Sequence, residues 1–137
     1  MPRRPGRLLT WTIAATGVVA AAGWSLLERR NDQLELERAV EALTGGDVQR
    51  GERAFKAYGC GACHRLRGVP QAVGRVGPPL DHVGSRAIIG GKLAQRPDNL
   101  RRWIEDPGSV TPGVAMPDLG VTPADSRDIV AFLYTRI

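Results

Sequence analysis

The chain has little with which to hold itself together. Its 137 residues include only two cysteines, Cys60 and Cys63, too few and too close for a framework of structural disulfides. Aromatic residues make up 5% of the sequence, so the usual material of a large core is scarce. Two histidines and two methionines, one of them Met1, leave few soft metal ligands. No stretch alternates convincingly between apolar and polar residues, so no strand is predicted, and no internal repeat is visible. The length excludes a large multidomain enzyme and allows one ordinary domain with an appendage.

What apolar material there is lies unevenly. Residues 8–27 (LLTWTIAATGVVAAAGWSLL) carry no charge between charged flanks. Twenty helical residues span roughly 30 Å, the thickness of a bilayer's hydrocarbon core. Trp11 and Trp24 stand near the two ends, and Arg3, Arg4 and Arg7 precede the run, which predicts a cytoplasmic flank over 1–7 and a single-pass anchor over 8–27. A cleaved secretory signal ending at Ala20–Ala22 is the alternative. The run continues through Trp24, Leu26 and Leu27, which a cleaved signal does not need, and this favours a retained anchor. Either way the rest of the chain is expected on the periplasmic side of a bacterial inner membrane.

Residues 28–45 are rich in helix formers, with Leu34, Val40 and Leu43 as a loose apolar stripe, and are expected to form a helical stalk or charged spacer. Residues 46–137 form the working domain, which is all-α. Three helices are predicted there. One runs from an Asp47 cap to about Tyr58 with Val48, Phe55 and Tyr58 inward. A second covers Asp98–Glu105 with Leu100, Trp103 and Ile104 at helical spacing. The third starts at a Thr122 cap with Pro123 at its first position and Asp125 at its third, followed by Ile129, Val130, Phe132 and Leu133.

After residue 44 fall 14 of the 17 glycines and 8 of the 10 prolines, and between His64 and Pro97 no aromatic residue occurs. A structureless segment of that size in a small domain with a thin core implies a cofactor or metal that organises it. The sequence Cys60-Gly61-Ala62-Cys63-His64 supplies the means, because CxxCH is the pattern of covalent c-type haem attachment. Each thiol adds to one haem vinyl group, and the adjacent His64 comes under the iron as an axial ligand. Other chemistries fit less well. A thioredoxin-like pair lacks its strands, and a zinc site would need adjacent Cys63 and His64 together with His82 on one tetrahedral ion. A disulfide would close a small strained ring and leave His64 unexplained. A second axial ligand is expected from Met116, the only methionine of the domain, in a loop stiffened by Pro112, Gly113 and Pro117; His82 is the alternative.

With these residues in place the chain resembles the class I cytochrome c family over residues 46–137. Besides CxxCH, the likeness includes Gly51 and Phe55, Gly77-Pro78-Pro79-Leu80, Trp103, Met116-Pro117 and Phe132. The resemblance implies a close crossing of first and last helices at Gly51, with Phe55 and Phe132 packed there. It also implies that the Pro78 carbonyl accepts the second hydrogen of the His64 imidazole, and that Arg86 and Trp103 reach the haem propionates. The run from Gly84-Ser85-Arg86 through Gly90, Asn99-Leu100, Asp106-Pro107 and Met116-Pro117 looks most like the cytochrome domain fused to subunit II of bacterial haem-copper oxidases. Residues 1–45 offer no copper-binding pattern ahead of it, so the expectation is a free-standing tethered carrier or a small separate subunit.

Two protein ligands on the iron leave no site for a small-molecule substrate, so the expected function is outer-sphere electron transfer, as a membrane-tethered respiratory carrier and not an enzyme. The expected partners are an upstream redox donor and a membrane haem-copper oxidase. A subunit of a periplasmic dehydrogenase or nitric oxide reductase, and a sensor in which Met116 leaves the iron, are the alternatives. Lys56, Arg65, Arg67 and Arg75 fall near the haem motif, and a positive rim there would steer docking to an acidic partner. The net charge of +5 does not indicate nucleic acid, since no recognition motif accompanies it.

Overall fold

The structure is a computed structural model that describes residues 6–136, with side chains described from Gly17 onward. The flank expected over 1–7 lies almost wholly outside the described residues. Helix α1 (Gly6–Thr44) is followed by α2 (Val48–Ala57), α3 (Cys60–Cys63), a 3-10 turn at Val83–Ser85, strands β1 (Ile88–Ile89) and β2 (Leu93–Ala94), and helices α4 (Pro97–Glu105), α5 (Pro107–Val110) and α6 (Pro123–Tyr134).

The chain divides into two compact units, residues 1–35 and 36–137. In the first, Val18, Val19, Trp24, Leu26 and Leu27 are all well exposed along α1. Residues 8–16 of the expected anchor lie outside those with described side chains. Among the described residues no helix is long and apolar enough to cross a membrane.

The second unit begins at Leu36, before the boundary expected at residue 46. Leu36 and Val40, one helical turn apart, pack into the core, whereas Leu34 and Leu43 stay exposed. Gly45 ends α1 in the left-handed conformation (φ 69°), its N–H bonded to the Glu41 carbonyl at 2.8 Å.

The three predicted helices are present. Asp47 caps α2 by accepting from the Arg50 N–H at 2.6 Å, and Thr122 caps α6 by accepting from the Asp125 N–H at 3.1 Å. Helices α2 and α6 make the most extensive contact between elements. Gly51 permits it: a Cβ there would lie 1.9 Å from the Asp128 carbonyl oxygen. Phe55 and Phe132 fill the crossing with ring centroids 5.6 Å apart, tilted by 53°. Asp128 clamps it, accepting from the Asp47 N–H at 2.7 Å and from Arg50 Nε at 2.7 Å. Burial would push the Asp128 carboxyl up, but these donors outweigh it and hold the group below the usual carboxylate range.

The expectation of no strand is corrected by one small hairpin, in which Ile88 pairs with Ala94 and Ile89 with Leu93, antiparallel. Two residues per strand are too few to show a period of two in the sequence. The turn uses Gly90 and Gly91, both at positive φ.

Candidate functional site

The segment after α3 is organised by backbone bonds to the cysteine motif and its surroundings. The Gly74 N–H bonds to the Gly61 carbonyl at 3.0 Å, the Gly77 N–H to that of Cys63 at 2.9 Å, and the Leu80 N–H to that of Arg65 at 2.8 Å. Residues 73–77 thus fold back over CxxCH. The approach demands glycine at Gly74, where a Cβ would lie 2.3 Å from the Cys63 carbonyl carbon, and at Gly77, where it would lie 2.3 Å from His64 Cε1. Neither requirement was legible from local sequence.

This fold-back forms part of the wall of an apolar cavity of about 280 Å³, whereas one water needs roughly 10–15 Å³ on a comparable measure. Cys60, Cys63, His64 and Met116, far apart in sequence, all line it, together with Pro78, Arg86 and Trp103. Phe55, Leu100, Ile129 and Leu133 bring the helical core to its interior. Every residue singled out from the sequence for the site is therefore at this one cavity, save the alternative ligand His82. That residue sits at φ 57° on an exposed turn, its Nε2 3.1 Å from Arg67 Nη2, in a separate cleft with Asp81 and Arg136.

His64 Nδ1 lies 2.8 Å from the Pro78 carbonyl oxygen. A carbonyl can only accept, so Nδ1 carries the hydrogen and Nε2 keeps a free lone pair. Arg86 Nη2 donates to the carbonyls of Pro79 and Asp81, the latter at 3.2 Å, which ties its guanidinium to the same loop. Trp103 is half-buried against Gly90, where a Cβ would meet the indole at 2.5 Å. Among the described residues its indole N–H has no protein acceptor. Burial pushes the free Cys60 thiol up to about 11.

These residues fit a covalently attached haem. Two thiols three positions apart, an imidazole fixed in the tautomer that presents Nε2, and one thioether share an apolar chamber. The four cations near the motif separate into two pairs. Lys56 is bridged to Glu52 at 2.6 Å and Arg67 to Asp81 at 3.2 Å, while Arg65 and Arg75 have no carboxylate within bridging distance among the described residues.

A family model described as "Cytochrome c" matches residues 48–136. The "Cytochrome c oxidase subunit 2" of Alkalihalophilus pseudofirmus is 31% identical over 100 residues, covering 72% of this chain and 27% of that protein. The protein of the same description from Bacillus subtilis is 27% identical over 91 residues, or 65% of this chain and 26% of the relative. The chain spans about a quarter of the length of these curated relatives. No solved structure gives a significant match.

Proposed function

This chain belongs to the cytochrome c family, and from that premise we propose that it is a membrane-tethered one-electron carrier that delivers electrons to, or within, a terminal oxidase. The carrying observation is that Cys60, Cys63, His64 and Met116 line one apolar cavity in which the His64 tautomer is already set.

Haem c, held covalently, supplies reversible one-electron chemistry at its iron. The Cys60 and Cys63 thiols would form the two thioether links. His64 would offer Nε2 to the iron, with the Pro78 carbonyl at Nδ1 orienting the ring and raising its basicity. Met116 would supply the second protein ligand to the iron, and a thioether there would favour the reduced state relative to a harder donor. With both positions taken by protein, the iron would offer no site to a substrate. With haem bound, the largely apolar lining would leave little polar surrounding to reorganise on a change of charge. Arg86, with guanidinium donors to spare, and Trp103, whose indole N–H has no protein acceptor among the described residues, would hold the propionates.

The tether reading rests on the uncharged run 8–27 and on the exposed Val18, Val19, Trp24, Leu26 and Leu27, apolar residues that no part of the described chain covers. The oxidase reading rests on the relatives named above. Mild-detergent extraction followed by affinity purification tests both. The cytochrome is expected in the membrane fraction, in company with a haem-copper oxidase; recovery in the soluble fraction, alone, would contradict both readings.

A further inference from the structure

The loop that orients His64 has few means of holding itself. Pro78 and Pro79 carry no backbone N–H, so the carbonyl facing His64 Nδ1 sits in a stretch without donors of its own. It is held from its flanks, as a ladder against the residues around His64. The Gly77 N–H bonds to the Cys63 carbonyl at 2.9 Å and the Leu80 N–H to that of Arg65 at 2.8 Å, the residues just before and after His64. The next rung is made by a side chain: Asp81 Oδ1 accepts from the Arg67 backbone N–H at 3.0 Å and from Arg67 Nε at 3.2 Å. The Arg67 side chain is 74% exposed and that of Asp81 15%, so the ion pair is largely screened and the backbone bond is the part that counts. That bond also leads in holding the Asp81 carboxyl below the usual carboxylate range. Beyond the rung, the His82 N–H bonds to the Arg136 carbonyl at 2.8 Å, where the chain leaves the ladder.

We propose that Asp81 is a positioning residue for the His64 imidazole: its carboxylate oxygen closes the ladder that keeps the Pro78 carbonyl on Nδ1. The inference rests on the carrier reading and adds to it a residue that does not line the cavity. Without the Asp81 rung, the Leu80 end of the loop is free to lift and takes Pro78 with it. A carbonyl farther from Nδ1 leaves the imidazole less basic and a poorer donor to ferric iron, so the redox balance moves toward ferrous. What matters is an oxygen at that place, since the charge faces an exposed guanidinium. The competing account is that Arg86, through the Pro79 and Asp81 carbonyls, holds the loop unaided.

The test uses the full-length holoprotein in detergent. It reads hydrogen–deuterium exchange of the His64 Nδ1–H, by proton NMR of the ferrous form, and the reduction potential by spectroelectrochemistry. Asp81→Ala is expected to speed the exchange by about tenfold, as the loss of one hydrogen bond would, and to move the ferric–ferrous equilibrium severalfold toward ferrous. Asp81→Asn keeps an oxygen for the Arg67 N–H, and both readings are expected within about twofold of wild type. Asp81→Glu keeps the charge and misplaces the oxygen; it is expected to shift both readings in the same direction as Asp81→Ala, and it carries the test where Asp81→Ala does not fold. Asp128→Asn, which loosens the α2–α6 crossing and leaves the ladder intact, controls for a mere loss of stability and is expected to keep the wild-type potential. Wild-type readings in both Asp81→Ala and Asp81→Glu would show that Arg86 suffices and overturn the proposal. So would an equal shift in Asp128→Asn, or an Asp81→Asn as damaging as Asp81→Ala. Failure of the carrier reading is seen separately, as a wild-type optical spectrum without a reducible low-spin haem.

Discussion

His64 is gripped by two consecutive residues: the Pro78 carbonyl oxygen lies 2.8 Å from its Nδ1, and Gly77 stands so near the ring that a Cβ would fall 2.3 Å from Cε1. The imidazole is thus oriented by one hydrogen bond and one steric wall, both on the loop that Arg86 ties down from the side. Gly77→Ala is expected to displace either ring or loop, destabilising the domain by about 1–3 kcal/mol and perturbing axial ligation. Urea titration and the Soret spectrum of the same samples read the two effects.

The crossing of α2 and α6 is as demanding. Gly51→Ala places a methyl 1.9 Å from a backbone oxygen, which no rotamer can relieve. The helices must separate and the Phe55–Phe132 contact must loosen, for an expected loss of about 3 kcal/mol or more. The urea midpoint should fall with little change in slope.

Asp128 makes the same crossing sensitive to acid. Its carboxyl is held low, so its contribution is complete above the unfolded value of roughly 3.9 and disappears as pH falls through the folded value. Because the Arg50 side chain is 58% exposed, the pair is discounted, and Asp128→Asn is expected to cost only about 1–2 kcal/mol at neutral pH. The gap between wild type and variant should close below about pH 4. A gap that stays constant down to pH 2 would show that the charge contributes nothing.

The two sulfur-and-nitrogen candidates for the distal position make opposite predictions. Met116→Ala should give a high-spin ferric spectrum, carbon monoxide binding to the reduced protein at neutral pH, and a lower reduction potential. His82→Ala should leave all three unchanged, because His82 lies outside the cavity beside Arg67. Spectral change in His82→Ala with none in Met116→Ala would reverse the assignment.

The sequence was most legible where the chemistry is local. CxxCH occupies five consecutive residues, and the start of α6 is announced by Thr122, Pro123 and Asp125 within one turn. Burial of Leu36 and Val40 was not legible, since a charged helix with a weak apolar stripe looks alike whether solvated or docked. Nor could local pattern reveal the hairpin at Ile88–Ala94, or the pairing of Arg67 with Asp81 across fourteen positions. Gly74 read as a structure breaker, and only its approach to Cys63 shows that it is needed for closeness and not for flexibility.

The most direct measurement is the optical spectrum of purified, acid-acetone-washed holoprotein, compared with Cys60→Ala/Cys63→Ala and Met116→Ala. The account predicts one haem that survives extraction in the wild type, with a low-spin spectrum and a far-red sulfur-to-iron charge-transfer band. That band should vanish in Met116→Ala, and the haem should be lost on washing in the double cysteine variant. A wild-type haem that washes out, or a sulfur band that persists without Met116, would contradict it.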